Sequence, residues 1–239
     1  MIALETRDAV LARFVRELDA QSPLSIDEVS PPDVARFDAR DVEAARFSWS
    51  ARIVDEYRSV VVFSELLRCL AEAAAPFPAL CAVQSVIGDE LRHVALCARV
   101  AGWLGAEGRL EVDVAGLGLP PSDATPIARA HEIVVRELIA AEGESLLVLA
   151  AYRDVAREPA IRRAFEILVQ DEARHYAAGR SLRAALESAF PELGGLDEVL
   201  AEDVAHMRAI YRRAAALGGA GRALGASITT ADLPSSWAA

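Results

Sequence analysis

Residues 89–93 read DELRH, and residues 171–175, 82 positions later, read DEARH. The chain has four histidines, and two of them close these near-identical words. Successive residues of an α-helix turn by about 100°, so the Asp, Glu and His of one word share an arc of about 100°. Glu90 and His93 can therefore reach one atom, and so can Glu172 and His175. A carboxylate oxygen with an imidazole nitrogen is a common donor pair for iron, manganese or zinc. Asp89 and Asp171 stand beside the donors, placed to accept a hydrogen bond from the other N–H of a ligating imidazole. One E-x-x-H on an amphipathic helix more often marks a surface ion pair. The repetition, with Asp before and Arg between in both copies, is what points to a shared site. Arg92 and Arg174 fall off the arc that carries the donors, so a purely ionic network would be short of basic partners on these faces.

The words lie inside long stretches whose apolar residues recur at three and four, the helical period. Pro and Gly break the chain near 31–32, 76–78, 116–121, 159, 191–195 and 218–225. The spacing predicts six helices, over about 4–21, 38–74, 77–105, 125–157, 159–189 and 196–217, and no strand pattern of useful length. The short turns AAAPFPA and REPA imply two antiparallel hairpins, while about 20 residues of AEGRLEVDVAGLGLPPSDATP separate them. A connection of that length suits a four-helix bundle whose hairpins are related by a crossover. The expected organisation is a single all-α domain over 1–239. Its bundle core spans 38–190, with an N-terminal helix and linker in 1–37 and a C-terminal helix and tail in 191–239. The Gly, Ala and Ser-rich tail from residue 218 is expected to be loosely ordered or to drape over the bundle.

A net charge of −11, from 36 acidic and 25 basic residues, speaks against nucleic acid and anionic membranes as partners. No apolar run approaches the roughly 20 residues needed to span a bilayer. The start MIALETRDAV lacks the basic and apolar regions of a leader, so a cytoplasmic location is expected. Cys69, Cys81 and Cys97 have no C-x-x-C spacing and read as reduced, buried packing residues.

A site shared by two hairpins also needs a carboxylate from each first helix at matching height. Glu56, 34 residues before Glu90, has its midpoint at 73, close to the turn, and lies on the stripe of Trp49, Ile53, Val60 and Phe63. Glu65 fits by distance but shares its face with Arg58, Arg68 and Glu72, so it reads as a solvated ion-pair residue. In the second hairpin Glu137, Glu142 and Glu144 compete; Glu142 lies on the most apolar face, with Glu144 as the alternative. Four carboxylates and two imidazoles buried without compensation would cost several kcal/mol each. Two divalent cations would balance the four negative charges.

These residues resemble the ferritin-like di-iron carboxylate superfamily, with one Glu on each first helix and E-x-x-H on each second, matched at Glu56, Glu90, His93, Glu142, Glu172 and His175 over about 45–190. The similarity is nearest to rubrerythrin-like, ferritin-like domain proteins. Trp49 stands two turns before Glu56, and an acidic-Pro pair lies between the second Glu and its D-E-x-R-H word, which favours Glu142. The resemblance implies two iron ions, or manganese or a mixed manganese–iron pair. It also implies dioxygen activation by an oxidase or oxygenase acting on a small organic substrate. Ferroxidase, iron-handling or peroxide-scavenging chemistry is the alternative, and an external electron donor and a homodimer are further expectations. Cys97 stands where ribonucleotide reductase small subunits carry a radical tyrosine, so that role is not implied. The rubredoxin C-x-x-C module of rubrerythrins is absent, and ferritins lack the extra first and sixth helices. Of the remaining candidates, His131 lies about 16 Å along its helix from Glu142, too far to share the site. His206 reads as a surface residue, Trp49 as core, and Tyr57 and Tyr176 as pointing away from the donors.

Overall fold

A computed structural model describes residues 2–4, 24–107 and 110–237. Five long helices dominate: α1 (Ala39–Glu72), α2 (Phe77–Trp103), α3 (126–155), α4 (Pro159–Ala189) and α5 (Asp197–Leu217). Their starts follow local chemistry. Asp38 caps α1 by accepting from the Arg40 N–H at 2.8 Å, and Thr125 caps α3. Pro126 and Pro159 occupy first-turn positions, where the missing N–H costs nothing. α1 ends in a tight turn in which Ala74 takes a φ of 51° and the Ala75 N–H reaches Leu70 O at 3.0 Å.

The hairpins α1/α2 and α3/α4 pack side by side, α1 against α3 and α2 against α4. Arg58 pairs with Glu137 and Arg129 with Glu65, so α1 and α3 run antiparallel. The crossover between the hairpins carries the strand Leu110–Val112, which pairs antiparallel with Ile2–Leu4. This ribbon leaves the all-helical class unchanged; its three-residue strands are too short to show a period. The helix expected over 4–21 lies, beyond residue 4, outside the described residues. No described helix is long and apolar enough to cross a membrane.

The bundle interior has two apolar clusters. Trp49, Ile53, Val94, Leu149 and Phe165 belong to one, and Val62, Phe63, Val83, Leu138 and Leu182 to the other. On each of α1 to α4 the polar word or glutamate falls between them. The tail drapes over the bundle, burying Leu224, Ile228, Leu233 and Trp237. Cys69 and Cys97 are buried as expected, whereas Cys81 is exposed because it faces away from the Ala79, Val83 and Val86 stripe.

α3 is not uniform. Its middle, Val134–Ala141, is a π-helix, a rare form that is frequent at functional sites, and Glu142 follows it immediately. Gly179 on α4 permits the approach: a Cβ there would lie 2.9 Å from Leu138 Cβ and 3.0 Å from its carbonyl oxygen.

Candidate metal centre

Six side chains converge in the polar layer. Glu90, Glu142, Glu172 and His175 can each offer an atom within 4.8 Å of the others, and Glu56, Glu90 and His93 do the same. Glu90 thus belongs to both groups. Glu172 also reaches both imidazoles, with carboxylate oxygens 3.7 Å from His93 Nδ1 and 3.4 Å from His175 Nδ1. Of the two α3 carboxylates left open by the sequence, Glu142 enters the layer and Glu144 turns outward to Arg208.

The histidines are held across the bundle. His93 Nε2 donates to Asp171 Oδ2 at 3.2 Å, and His175 Nε2 donates to Asp89 Oδ2 at 3.2 Å. Each word's Asp therefore orients the other word's imidazole, leaving both Nδ1 atoms aimed at the glutamates. Arg92 and Arg174, set aside in the sequence as off the donor arc, tie this layer together. Arg92 contacts Asp89 at 2.6 Å and Asp171 at 3.0 Å, while Arg174 contacts Asp171 at 2.6 Å and Asp89 at 3.0 Å. Their repetition in both words was the signal available for them. The arginines are off the donor arc but face the neighbouring helix, a direction that a single-helix wheel does not distinguish from solvent.

The donors carry a clear sign of fitness for metal. Glu90 Oε1 and Oε2, Glu172 Oε2 and both Nδ1 atoms are buried without a hydrogen-bond partner. His175 Nδ1 comes within 3.1 Å of Glu90 Oε1, yet not in hydrogen-bond geometry. Unpaired buried polar atoms are costly. Here they point at one another, as atoms sharing cations would.

The electrostatics agree. Burial opposes charge on His93, but Asp171, Glu56 and Glu90 outweigh it and hold its pKa well above the ordinary value. For His175 burial is likewise overcome by Asp89, Glu142 and Glu90. Burial, with the charge of Glu142, pushes Glu90 up beyond what the imidazoles restore. Asp89 and Asp171 resist burial through their histidine and arginine partners and stay below the usual carboxylate range. Ligation requires neutral imidazoles and ionised carboxylates, so cations would compete with these protons.

Other candidates fall where the chemistry puts them. Glu65 pairs with Arg129 at 2.9 Å across the α1/α3 interface, outside the donor layer. His131 is buried with its Nε2 3.0 Å from Glu187, and His206 is exposed. Trp49 is core, its Nε1 donating to Leu224 O at 3.0 Å. Fold and site together define an all-helical bundle with a buried carboxylate–imidazole cluster able to hold metal. No protein-family model matches the chain, and no curated protein or solved structure matches it.

Proposed function

We propose that the cluster holds two metal ions, iron in the first place, in a ferritin-like di-metal bundle that activates dioxygen as an oxidase or oxygenase. The observation that carries this reading is the convergence of six donors from four helices on one layer, where five buried atoms of the α2 and α4 donors lack a hydrogen-bond partner. Two ferrous ions held there would supply the pair of electrons by which dioxygen is reduced to the peroxide level. The chain does the rest. Glu56, Glu90 and His93 would hold one ion and Glu142, Glu172 and His175 the other, with Glu90 within reach of both groups. Asp171 and Asp89 fix the imidazoles with Nδ1 inward. Trp49, Phe63, Leu138 and Phe165 exclude water from both ends of the layer. Each turnover then calls for an electron donor, and the organic substrate class is a small molecule.

A second reading, ferrous iron or peroxide handling without an organic substrate, draws support from the burial of the donors. Glu90, His93 and His175 are at most 1% exposed, and none of the six donors lines the surface cavities of about 610, 470 and 350 Å³.

Metal analysis of protein expressed with added iron, followed by stopped-flow absorbance on mixing the ferrous protein with oxygen, tests both. Two irons per chain and an oxygen-dependent visible absorption that decays faster with small organic substrates are expected. Ferric iron that leaves the protein would favour the second reading. An iron-free chain whose melting temperature ignores chelators would end both.

A further inference from the structure

The six donors are unequally covered. The side chains of Glu90, His93, Glu172 and His175, on α2 and α4, are at most 4% exposed, whereas Glu142 on α3 is 9% and Glu56 on α1 is 12% exposed. Glu56, the most exposed donor, has an arginine one turn before it on the same face of α1, Arg52. Contacts to three helices place its guanidinium. Cζ lies 4.4 Å from the centre of the Tyr152 ring on α3, 5.1 Å from that of Phe165 on α4 and 5.4 Å from that of Trp49 on α1. Tyr152 and Phe165 are themselves stacked, with centroids 5.5 Å apart. The tail closes over the same place, Arg222–Leu224 packing on α1 and Leu224 O accepting from Trp49 Nε1 at 3.0 Å.

These contacts hold the cation and leave its donors unused. Among the described residues Arg52 forms no ion pair and no hydrogen bond. Its Nε is buried without a partner, and the side chain as a whole is part-buried, so its terminal nitrogens are what solvent reaches. Arg58, two residues beyond Glu56, shows the contrast: its terminal nitrogens donate to both Glu137 oxygens at 3.0 Å. Aromatic rings act on the face of a guanidinium. They take none of its five N–H donors, which form a planar fork that a carboxylate matches with two parallel bonds. In a chain with 36 acidic residues, two of them Asp55 and Glu56 within a turn, Arg52 is left without such a partner.

Resting on the metal-centre reading above, we propose that the organic substrate is a small carboxylic acid, bound as its anion by the terminal nitrogens of Arg52, one turn from Glu56. One guanidinium balances one negative charge, and the carboxylates of Asp55 and Glu56 stand too near for a doubly charged phosphate to be favoured.

The test is titration calorimetry of the full chain, cobalt-loaded and metal-free, with benzoate, its neutral counterpart benzamide and inorganic phosphate. Benzoate should bind saturably to both forms, at least about tenfold more tightly than benzamide, and phosphate should not displace it. A folded Arg52→Gln chain that still takes up cobalt should lose benzoate affinity by at least about tenfold. Arg52→Lys should recover only part of it, because an ammonium lacks the fork. Benzoate bound by Arg52→Gln as tightly as by the unmodified protein would place it elsewhere, on the metal or on another cation, and overturn the proposal. Equal affinity for benzoate and benzamide in the metal-free unmodified chain, or displacement by phosphate, overturns it with no variant required. Benzoate bound through Arg52 by a chain that takes up no cobalt would end the metal-centre reading and keep the anion site, whereas cobalt bound without benzoate would do the reverse.

Discussion

The α2/α4 side of the centre and the α1/α3 side supply donors to the same layer in opposite ways. On α2/α4 two aspartates and two arginines cross-link the helices, and each imidazole is fixed by the helix opposite. On α1/α3, among the described residues, neither Glu56 nor Glu142 forms an ion pair with an arginine. One of the two follows a π-helical stretch, and both are the more exposed donors. The contrast separates two tasks. A buried network of charge-assisted hydrogen bonds between helices favours rigid placement, while carboxylates without such partners are freer to reorient. The π-helix fits the second task, since its wider turn lets α3 re-aim Glu142 without disturbing the hairpin ends.

The most damaging way to probe this division is to remove Glu90, which serves both donor groups. Glu90→Ala should lower affinity at both positions by more than about 100-fold, beyond the effect of any outer partner. Glu56→Ala should instead leave one metal, held by Glu90, Glu142, Glu172 and His175. Cobalt stoichiometry by titration calorimetry reads both; two ions per chain in Glu90→Ala would refute the shared ligand. Glu65→Ala is the control, with unchanged stoichiometry and a stability loss of at most about 1 kcal/mol for a part-exposed ion pair.

Next in size is the crossing itself. In a Glu56→Ala background the remaining ion sits with His175, whose partner is Asp89. Adding Asp89→Asn should weaken it by about 10–100-fold, while adding Asp171→Asn should do much less. The reverse order, each aspartate serving the histidine of its own word, would show that the hairpins are not interlocked as described.

A smaller and structural effect is expected at Gly179. A methyl group there meets the Leu138 carbonyl, which is backbone and cannot rotate away. Gly179→Ala should cost about 1–3 kcal/mol and disturb the ion near Glu142 more than the one near Glu56. Equal loss at both positions would argue that α4, and not the π-helix, had shifted.

Much of this was legible in the sequence because helices repeat at 3.6 residues and the two words repeat each other. Helix ends at 72, 103, 155, 189 and 217 fall within two residues of the expected ones, since Pro and Gly mark the breaks. All six donors come together, including Glu56 and Glu142, which midpoint arithmetic and apolar stripes selected. What escaped depends on neighbours outside a single helical wheel. Arg92 looked outward on its own helix and is 5% exposed only because α4 lies against it. The exchange of aspartates between histidines needs the register of α2 on α4. The π-helix left no mark, for its residues VVRELIAA satisfy an ordinary helical pattern equally well.

The smallest effect concerns the cover on the α1/α3 side, whose tail is braced by Asp232. That carboxylate is paired with Arg222, and it accepts from the Thr229 N–H at 2.7 Å and hydroxyl at 2.8 Å. The Arg222 contact, first among the causes, holds it well below the usual carboxylate range. A depressed carboxylate contributes stability above its unfolded pKa of about 3.9 and loses it as pH falls through the folded value. Because Arg222 is 41% exposed, the contribution is held to about 1 kcal/mol. Asp232→Asn should therefore melt about 2–4 °C lower than the unmodified protein at pH 7. The gap should hold down to about pH 4 and shrink below it. Cobalt affinity should change by less than about twofold, since the imidazole side is untouched. A gap that stays constant to pH 2 would assign the loss to the hydrogen bonds from Thr229 instead of the charge pair, and a large drop in cobalt affinity would mean that the cover and the fixed side are not independent.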